Sequence, residues 1–365
     1  MLRLIEFANE QKYMDLFLSL SAAIYGQDKN YRPESEKEVV AWLRQEHPCT
    51  GFLSQKNLLV LDGERAVARG IAFANKAGNL GTIGFFECEN NAKAVSMLVE
   101  GAKRLCGEHS IKKIYAPMNG SIWSSYRLMT KGFEDRPFMG EPYNRPYYKE
   151  VLEKCGFAVA RIWESQFVKK ISTKNNTADR FQNLEKIQRA KGMRVRSAKN
   201  FDEDIKTIHK IAMNAFSGFF AFHEIDEETF CALYGGLKLV CDKKTLKLAF
   251  NEQGEPVGFG LALPDYKSKL GALLGYAKRY IFLYIGTWQE NGESAYPQLG
   301  KAIIVPIMKN LYFRRKSYIC ALLGEGAKTK TFAPSYEKVH EYVLMELDIE
   351  DIEAKTEAKA EAGNA

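Results

Sequence analysis

Two clusters of side chains in this 365-residue chain have the composition to do chemistry. Between Pro117 and Phe157, Asn119, Trp123, Tyr143, Asn144, Tyr147 and Tyr148 combine amide donors and acceptors with aromatic faces. That mixture suits a pocket for a polar small molecule or a peptide. It equally suits a rigid loop, because Pro142 and Pro146 fix φ and Asn144 can bond its own backbone. The second cluster, Phe216-Ser217-Gly218-Phe219-Phe220-Ala221-Phe222-His223, is polyaromatic and reads either as a ligand-facing surface or as an apolar helix end.

Metal and disulfide chemistry are not expected. Cys49, Cys88, Cys106, Cys155, Cys231, Cys241 and Cys320 contain no C-x-x-C pair and are odd in number. His47, His109, His209, His223 and His340 show no spacing that sets two ligands on one helical face. The net charge of +7 could steer phosphate-bearing partners, but the charges are mixed rather than blocked. Hydrophobic residues at 46% and charged residues at 27% fit a globular chain, and the length favours two domains. The longest apolar runs, such as Ile281 to Ile285, are too short to cross a membrane, and Glu6, Glu10 and Asp15 interrupt the N-terminus where a signal peptide would be apolar. A cytoplasmic location is expected, with no DNA or membrane partner, and the absence of a long basic helical arm disfavours tRNA.

The elements that must position these clusters occur in the same order twice. In the first copy, helical patterns over Gln11 to Tyr25 and Glu34 to Arg44 precede a hairpin of Leu58 to Leu61 and Ala66 to Ala74, turned at Asp62-Gly63. A strand over Gly81 to Cys88, a helix over Ala92 to Cys106 and a strand over Lys113 to Ala116 follow. The second copy opens with a strand at Arg194 to Arg196 and helices over Asp202 to Ala215 and Glu227 to Tyr234. Its hairpin pairs Leu246 to Phe250 with Val257 to Leu263. Then come a strand over Tyr280 to Trp288, a helix over Ala302 to Phe313 and a strand over Ser317 to Leu323. This divides the chain into residues 1–171, a polar linker 172–192, residues 193–350 and a disordered Lys/Glu/Ala-rich tail 351–365.

A helix pair, a long hairpin, then strand, helix and strand resembles the general N-acetyltransferase (GNAT) superfamily, here in tandem. Pro117-Met118-Asn119-Gly120-Ser121, Pro142-Tyr143-Asn144-Arg145-Pro146-Tyr147-Tyr148 and the later Gly156-Phe157 are similar to a P-M-N-x-S and N-x-P-Y-Y…G-F signature of bacterial GNAT-like proteins. The resemblance implies an α+β fold of two splayed, mostly antiparallel sheets flanked by helices. It also implies transfer of an acyl group, most simply acetyl, from acyl-CoA to a small-molecule or peptide amine. The pyrophosphate would then lie on backbone amides that open the helix after the fourth strand, where N–H groups lack internal partners.

The two copies meet that requirement differently. In the first, Glu87-Cys88-Glu89-Asn90-Asn91-Ala92 has no glycine and sets two carboxylates where a diphosphate would lie, and Leu152 stands where the superfamily often has a tyrosine acid. This copy is expected to be a poor cofactor site. In the second, Leu299, Gly300, Lys301, Ala302, Ile303 and Ile304, with Gly286 on the preceding strand, form the expected cofactor segment. Against this segment, Ile304 narrows the approach and Pro306 would fall inside the helix, where it removes an N–H and clashes unless the helix begins late. By the same resemblance Glu325 is the candidate base, Tyr284 and Tyr336 the candidate thiolate acids, and Phe220 an acceptor-side residue. A non-catalytic ligand-binding or scaffold protein, and a Fem-type aminoacyl-tRNA-dependent transferase, are the alternatives.

Overall fold

The computed structural model describes residues 1–75, 77–169, 192–266, 271, 275–325 and 336–349. The expected linker lies outside the described residues except for Gly192, and the expected tail lies outside them altogether. The chain is α+β and divides into two units, one of Met1–Trp163 with the chain from His340 onward, the other of Glu164–Val339.

In unit 1, β1 (Leu2–Phe7), β2 (Ser54–Asp62), β3 (Arg65–Asn75) and β4 (Leu80–Cys88) are antiparallel neighbours in sequence order. Gly63, at φ +61°, occupies the turn between β2 and β3, as the Asp-Gly pair demands. Helices α1 (Gln11–Tyr25) and α2 (Glu36–Leu43) come between β1 and β2. Helix α3 (Ala92–Glu108) buries Val95, Leu98, Val99, Ala102, Leu105 and Cys106, the face expected from their spacing. Each large side chain on that face contributes roughly 1.5–3 kcal/mol by leaving water. Beyond α3, β5 (Lys113–Ala116) runs parallel to β4, followed by β6 (Leu128–Lys131), α4 (Tyr148–Lys154) and β7 (Ala158–Val168).

Unit 2 repeats the order: β8 (Arg194–Ser197), α5 (Phe201–Ala215), α6 (Glu227–Tyr234), β9 (Leu246–Phe250), β10 (Pro256–Pro264) and β11 (Arg279–Thr287). A short hairpin of β12 (Gln289–Glu290) and β13 (Glu293–Ser294), α7 (Leu299–Phe313) and β14 (Ser317–Gly324) follow, and β15 (Lys338–Asp348) ends the described chain. Two features depart from the sequence reading. Residues 340–349 belong to unit 1, where β15 pairs antiparallel with β5 and β6, while residues 164–168 of β7 belong to unit 2 beside β14. Helix α7 starts at Leu299 rather than late, so Pro306 lies inside it. Its flanks Ile303, Ile304, Val305 and Ile307 are buried, and that packing offsets the lost helix hydrogen bond.

Candidate functional site

Both units part a parallel strand pair at the same place. In unit 1 the β4 and β5 ladder is limited to Gly81↔Ile114 and Thr82↔Tyr115; in unit 2 the β11 and β14 ladder ends at Phe282↔Cys320. The antiparallel partner of each splayed strand shifts register just beyond, between Arg69 and Ile71 on β3 and between Leu261 and Ala262 on β10. Such a bulge re-aims backbone and side chains. On β4 it sets Phe85 at φ +50°.

In unit 1 the chain fills this gap itself. Asn119 Oδ1 accepts the Phe85 amide at 2.9 Å, and the Asn119 loop comes so close that a Cβ on Gly84 would meet the Met118 carbonyl at 2.7 Å. Tyr148 Oη accepts the Cys88 amide at 3.1 Å, while Tyr147 donates to the Cys88 carbonyl at 2.8 Å. Asn144 accepts from the Met129 amide at 2.7 Å and donates to the Met129 carbonyl at 3.2 Å, fastening the motif loop to β6. Tyr143 donates to Asp28 at 3.0 Å, and Trp123 is buried. The structure thus brings together most of the residues expected to bind substrate, but it uses many of their polar atoms to hold backbone.

The expected clash of carboxylates at the head of α3 takes another form. Glu89 pairs with Arg65, and Asn91 Oδ1 accepts the Ala94 amide at 3.2 Å, so the first turn of α3 is capped from within. Glu87 turns instead into the gap, where Tyr25 donates to its Oε2 at 3.0 Å and Tyr148 donates to the same oxygen. Only 8% of Glu87 is exposed, and burial pushes its carboxyl up to about 7, against the opposing pull of the Arg69 guanidinium. It faces a cavity of about 80 Å³ lined also by Glu34, Asn119, Tyr143, Asn144 and Tyr148. Sequence reasoning missed Glu87 as a pocket residue. The signal available was a lone carboxylate near the end of an otherwise apolar strand; the bulge that aims it has no sequence mark.

Unit 2 is arranged otherwise. The residue before α7, Gln298, adopts φ +70° and makes no side-chain cap, and the amides of Gly300 and Lys301 have no partner among the described residues. Leu299, Ala302, Ile303 and Ile304 bury their side chains, Ile303 against Gly258 and Gly260, so of the expected cofactor segment only Gly300 and Lys301 present free amides. Gly286 faces the Phe259 ring, which a Cβ would meet at 2.6 Å. Tyr284 follows the last ladder pair and packs edge-on to Tyr234 at 6.2 Å. Glu325 is exposed, Tyr336 is 49% exposed, and Phe220 is half-buried after α5. Among the described residues no His, Cys, Asp and Glu cluster could hold a metal ion, and no helix is long and apolar enough to cross a membrane.

No family model and no curated protein matches the sequence. Solved structures do match. A tandem GNAT protein from the clavulanic acid biosynthesis pathway aligns with a TM-score of 0.52 at 10% identity, over 96% of this chain and 99% of that one. A glucosamine N-acetyltransferase region of a fungal multi-domain GH3 β-N-acetylglucosaminidase gives 0.53 at 11% identity, over 95% of this chain and 38% of that one. A GCN5-related N-acetyltransferase from Anabaena variabilis gives 0.52 at 8% identity, over 96% and 73%. At these identities the likeness is one of fold: the chain has a tandem GNAT-like fold.

Proposed function

We propose that the chain is an acyl-CoA-dependent N-acyltransferase, acetyl being the simplest acyl group, that acts on a small-molecule or peptide amine and holds its cofactor in unit 2. One contrast supports this reading: each helix opens with two amides that have no partner among the described residues, Gly300 and Lys301 in α7 and Ala92 and Lys93 in α3, but the five residues before α3 include Glu87 and Glu89 whereas the five before α7 include no carboxylate. Unpaired amides at a helix start favour an anion, and the exposed Lys301 adds a full charge to the same turn. By this test the residues of unit 2 fit a diphosphate, and those of unit 1 do not.

When bound, acyl-CoA supplies an activated thioester. The chain's own task is to orient and to move protons. Gly300 and Lys301 would hold the diphosphate, and β11 and β14 part beyond Phe282, two residues before Tyr284. Of the three candidates for proton handling, Tyr284 lies on β11 just past the last pair with β14, whereas Glu325 follows β14 and Tyr336 precedes β15, both at exposed positions. Such groups contribute only when positioned on the reacting atoms.

Calorimetric titration with acetyl-CoA tests the reading. A single saturable site is expected, and Gly300→Glu should abolish it by setting a carboxylate among the amides. The variant should fold, because a Cβ at Gly300 meets nothing nearer than Ile285 at 3.4 Å. If the full-length chain binds no acyl-CoA, the proposal fails.

A further inference from the structure

One end of unit 2 is exposed, basic and apolar at once, and three segments meet there. Helix α7 ends at Phe313, and the chain turns through Arg314 and Arg315 into β14, where the Ser317 amide donates to the Lys278 carbonyl at 3.1 Å. The Arg314 guanidinium reaches Asp242 at 2.5 Å, and the Lys316 ammonium lies 4.9 Å from the centre of the Tyr276 ring. Residues 237–244, 276–279 and 313–317 are thereby tied together.

These segments carry eight lysines and arginines and a single carboxylate, Asp242, which Arg314 occupies. Lys238 pairs with Asp202 and Arg279 with Asp265, each at 2.5 Å. Lys243, Lys244, Lys278, Arg315 and Lys316 have no carboxylate partner among the described residues. Like charges gathered in this way repel one another and favour an anionic partner. Among them stand apolar side chains turned to water: Leu239 is 89% exposed, Phe313 71% and Tyr276 58%. A nucleic acid strand would engage the cations and the rings but would gain nothing from Leu239. An anionic bilayer engages all of them, since lipid phosphates meet the cations while apolar side chains enter the acyl boundary.

We infer that this end of unit 2 seats on the surface of an anionic lipid bilayer, with Leu239, Phe313 and Tyr276 entering the head-group layer and the five unpaired cations meeting lipid phosphates. Seating of this kind lies along the interface and needs no helix that crosses the membrane. The 15 residues of α7 set the patch about 20 Å from the Gly300 and Lys301 amides, so a seated protein keeps its proposed cofactor segment open to solution. The surface does not depend on the cofactor reading. Each cation brought to a charged bilayer should strengthen binding about fivefold, an effect that salt screens.

Sedimentation of the full-length chain with lipid vesicles tests this. The chain should pellet with phosphatidylcholine vesicles that contain roughly one quarter phosphatidylserine, stay in solution with phosphatidylcholine alone, and leave the mixed vesicles in salt of about 0.5 M. Lys244→Glu combined with Lys278→Glu should weaken binding to the mixed vesicles by more than about tenfold. Leu239→Ser combined with Phe313→Ser should weaken it about tenfold. The inference is overturned if the chain does not pellet with the mixed vesicles, if it binds both kinds of vesicle equally, if either folded double variant binds undiminished, or if polyuridylate is bound more tightly than the mixed vesicles. All four substituted positions are exposed, so both variants should fold. Should one fail to, the lipid and salt dependence of the unaltered chain and its comparison with polyuridylate decide the matter.

Discussion

The Tyr148 hydroxyl links two backbone and side-chain demands at one point: it accepts the Cys88 amide at 3.1 Å and donates to the Glu87 carboxylate. Tyr148 is itself buried at 1% exposure, at the start of α4, so the end of β4 is held by a side chain from a helix 60 residues away.

Tyr148→Phe keeps the ring and removes only that oxygen. It leaves the Cys88 amide without its acceptor and deprives Glu87 of one of two donors. The expected loss is about 2 kcal/mol in urea unfolding, the cost of stranding a buried polar group. The Glu87 carboxyl should also titrate higher, since the Tyr148 hydrogen bond favours its ionised form. A stability unchanged within error would show that water replaces the hydroxyl.

Glu87 should make the protein less stable as pH rises. Its folded carboxyl is held at about 7 against an ordinary 4.5, so between those values the unfolded chain has lost a proton that the folded chain retains. The bias against folding grows through that window and reaches about 3 kcal/mol above it. Glu87→Gln removes the titration. Its unfolding midpoint should rise relative to wild type on going from about pH 5 to about pH 8, and parallel pH profiles for the two proteins would contradict the assignment.

His340 should act with the opposite sign. The ring is 1% exposed, Nδ1 lies 2.6 Å from Glu141 and Nε2 2.9 Å from Asp135, an arrangement in which both nitrogens donate only as imidazolium. Burial disfavours that charge, but the hydrogen bonds and fields of Glu141 and Asp135 overcome it and raise the pKa above 6.5. The clamp therefore contributes in full below 6.5 and is lost as pH climbs through the raised folded value. His340→Gln should cost more stability at about pH 6 than at about pH 9, and urea midpoints at the two values check it.

The fold was largely legible because its elements carry local signals. The spacing of Val95, Leu98, Val99 and Ala102 marks α3, and Asp62-Gly63 marks the β2 and β3 turn. What escaped depends on distant or backbone events. Nothing in residues 340–348 says that β15 pairs with β5 more than two hundred residues earlier, since an apolar strand fits either sheet. The motif residues Asn119, Asn144 and Tyr147 advertise hydrogen bonds, but only coordinates show those bonds directed to Phe85, Met129 and Cys88. Glu87 looked like a charge at a loop, and the Phe85 bulge turns it inward. In unit 2 the Gly300 and Lys301 amides were anticipated; the burial of Leu299, Ile303 and Ile304 around them was not, because α7 begins earlier than Pro306 suggests.

Pro306 offers the last prediction. It lies in the third turn of α7, where it removes one donor of the helix ladder and presses on the carbonyl four residues earlier, that of Ala302. Buried neighbours on both sides keep the helix in register. The site itself is half-buried, so Pro306→Ala leaves a small cavity while restoring the N–H to Ala302. The hydrogen bond and relieved clash should outweigh the lost ring carbons, because an interior helix proline costs up to about 3 kcal/mol whereas two buried methylenes are worth about 1.5 kcal/mol. A net gain of about 1 kcal/mol is expected in denaturant unfolding. A loss would mean that α7 is bent at Pro306 and that the bend is required to seat Ile303 on Gly258 and Gly260, with the Gly300 and Lys301 amides then displaced by the straightened helix.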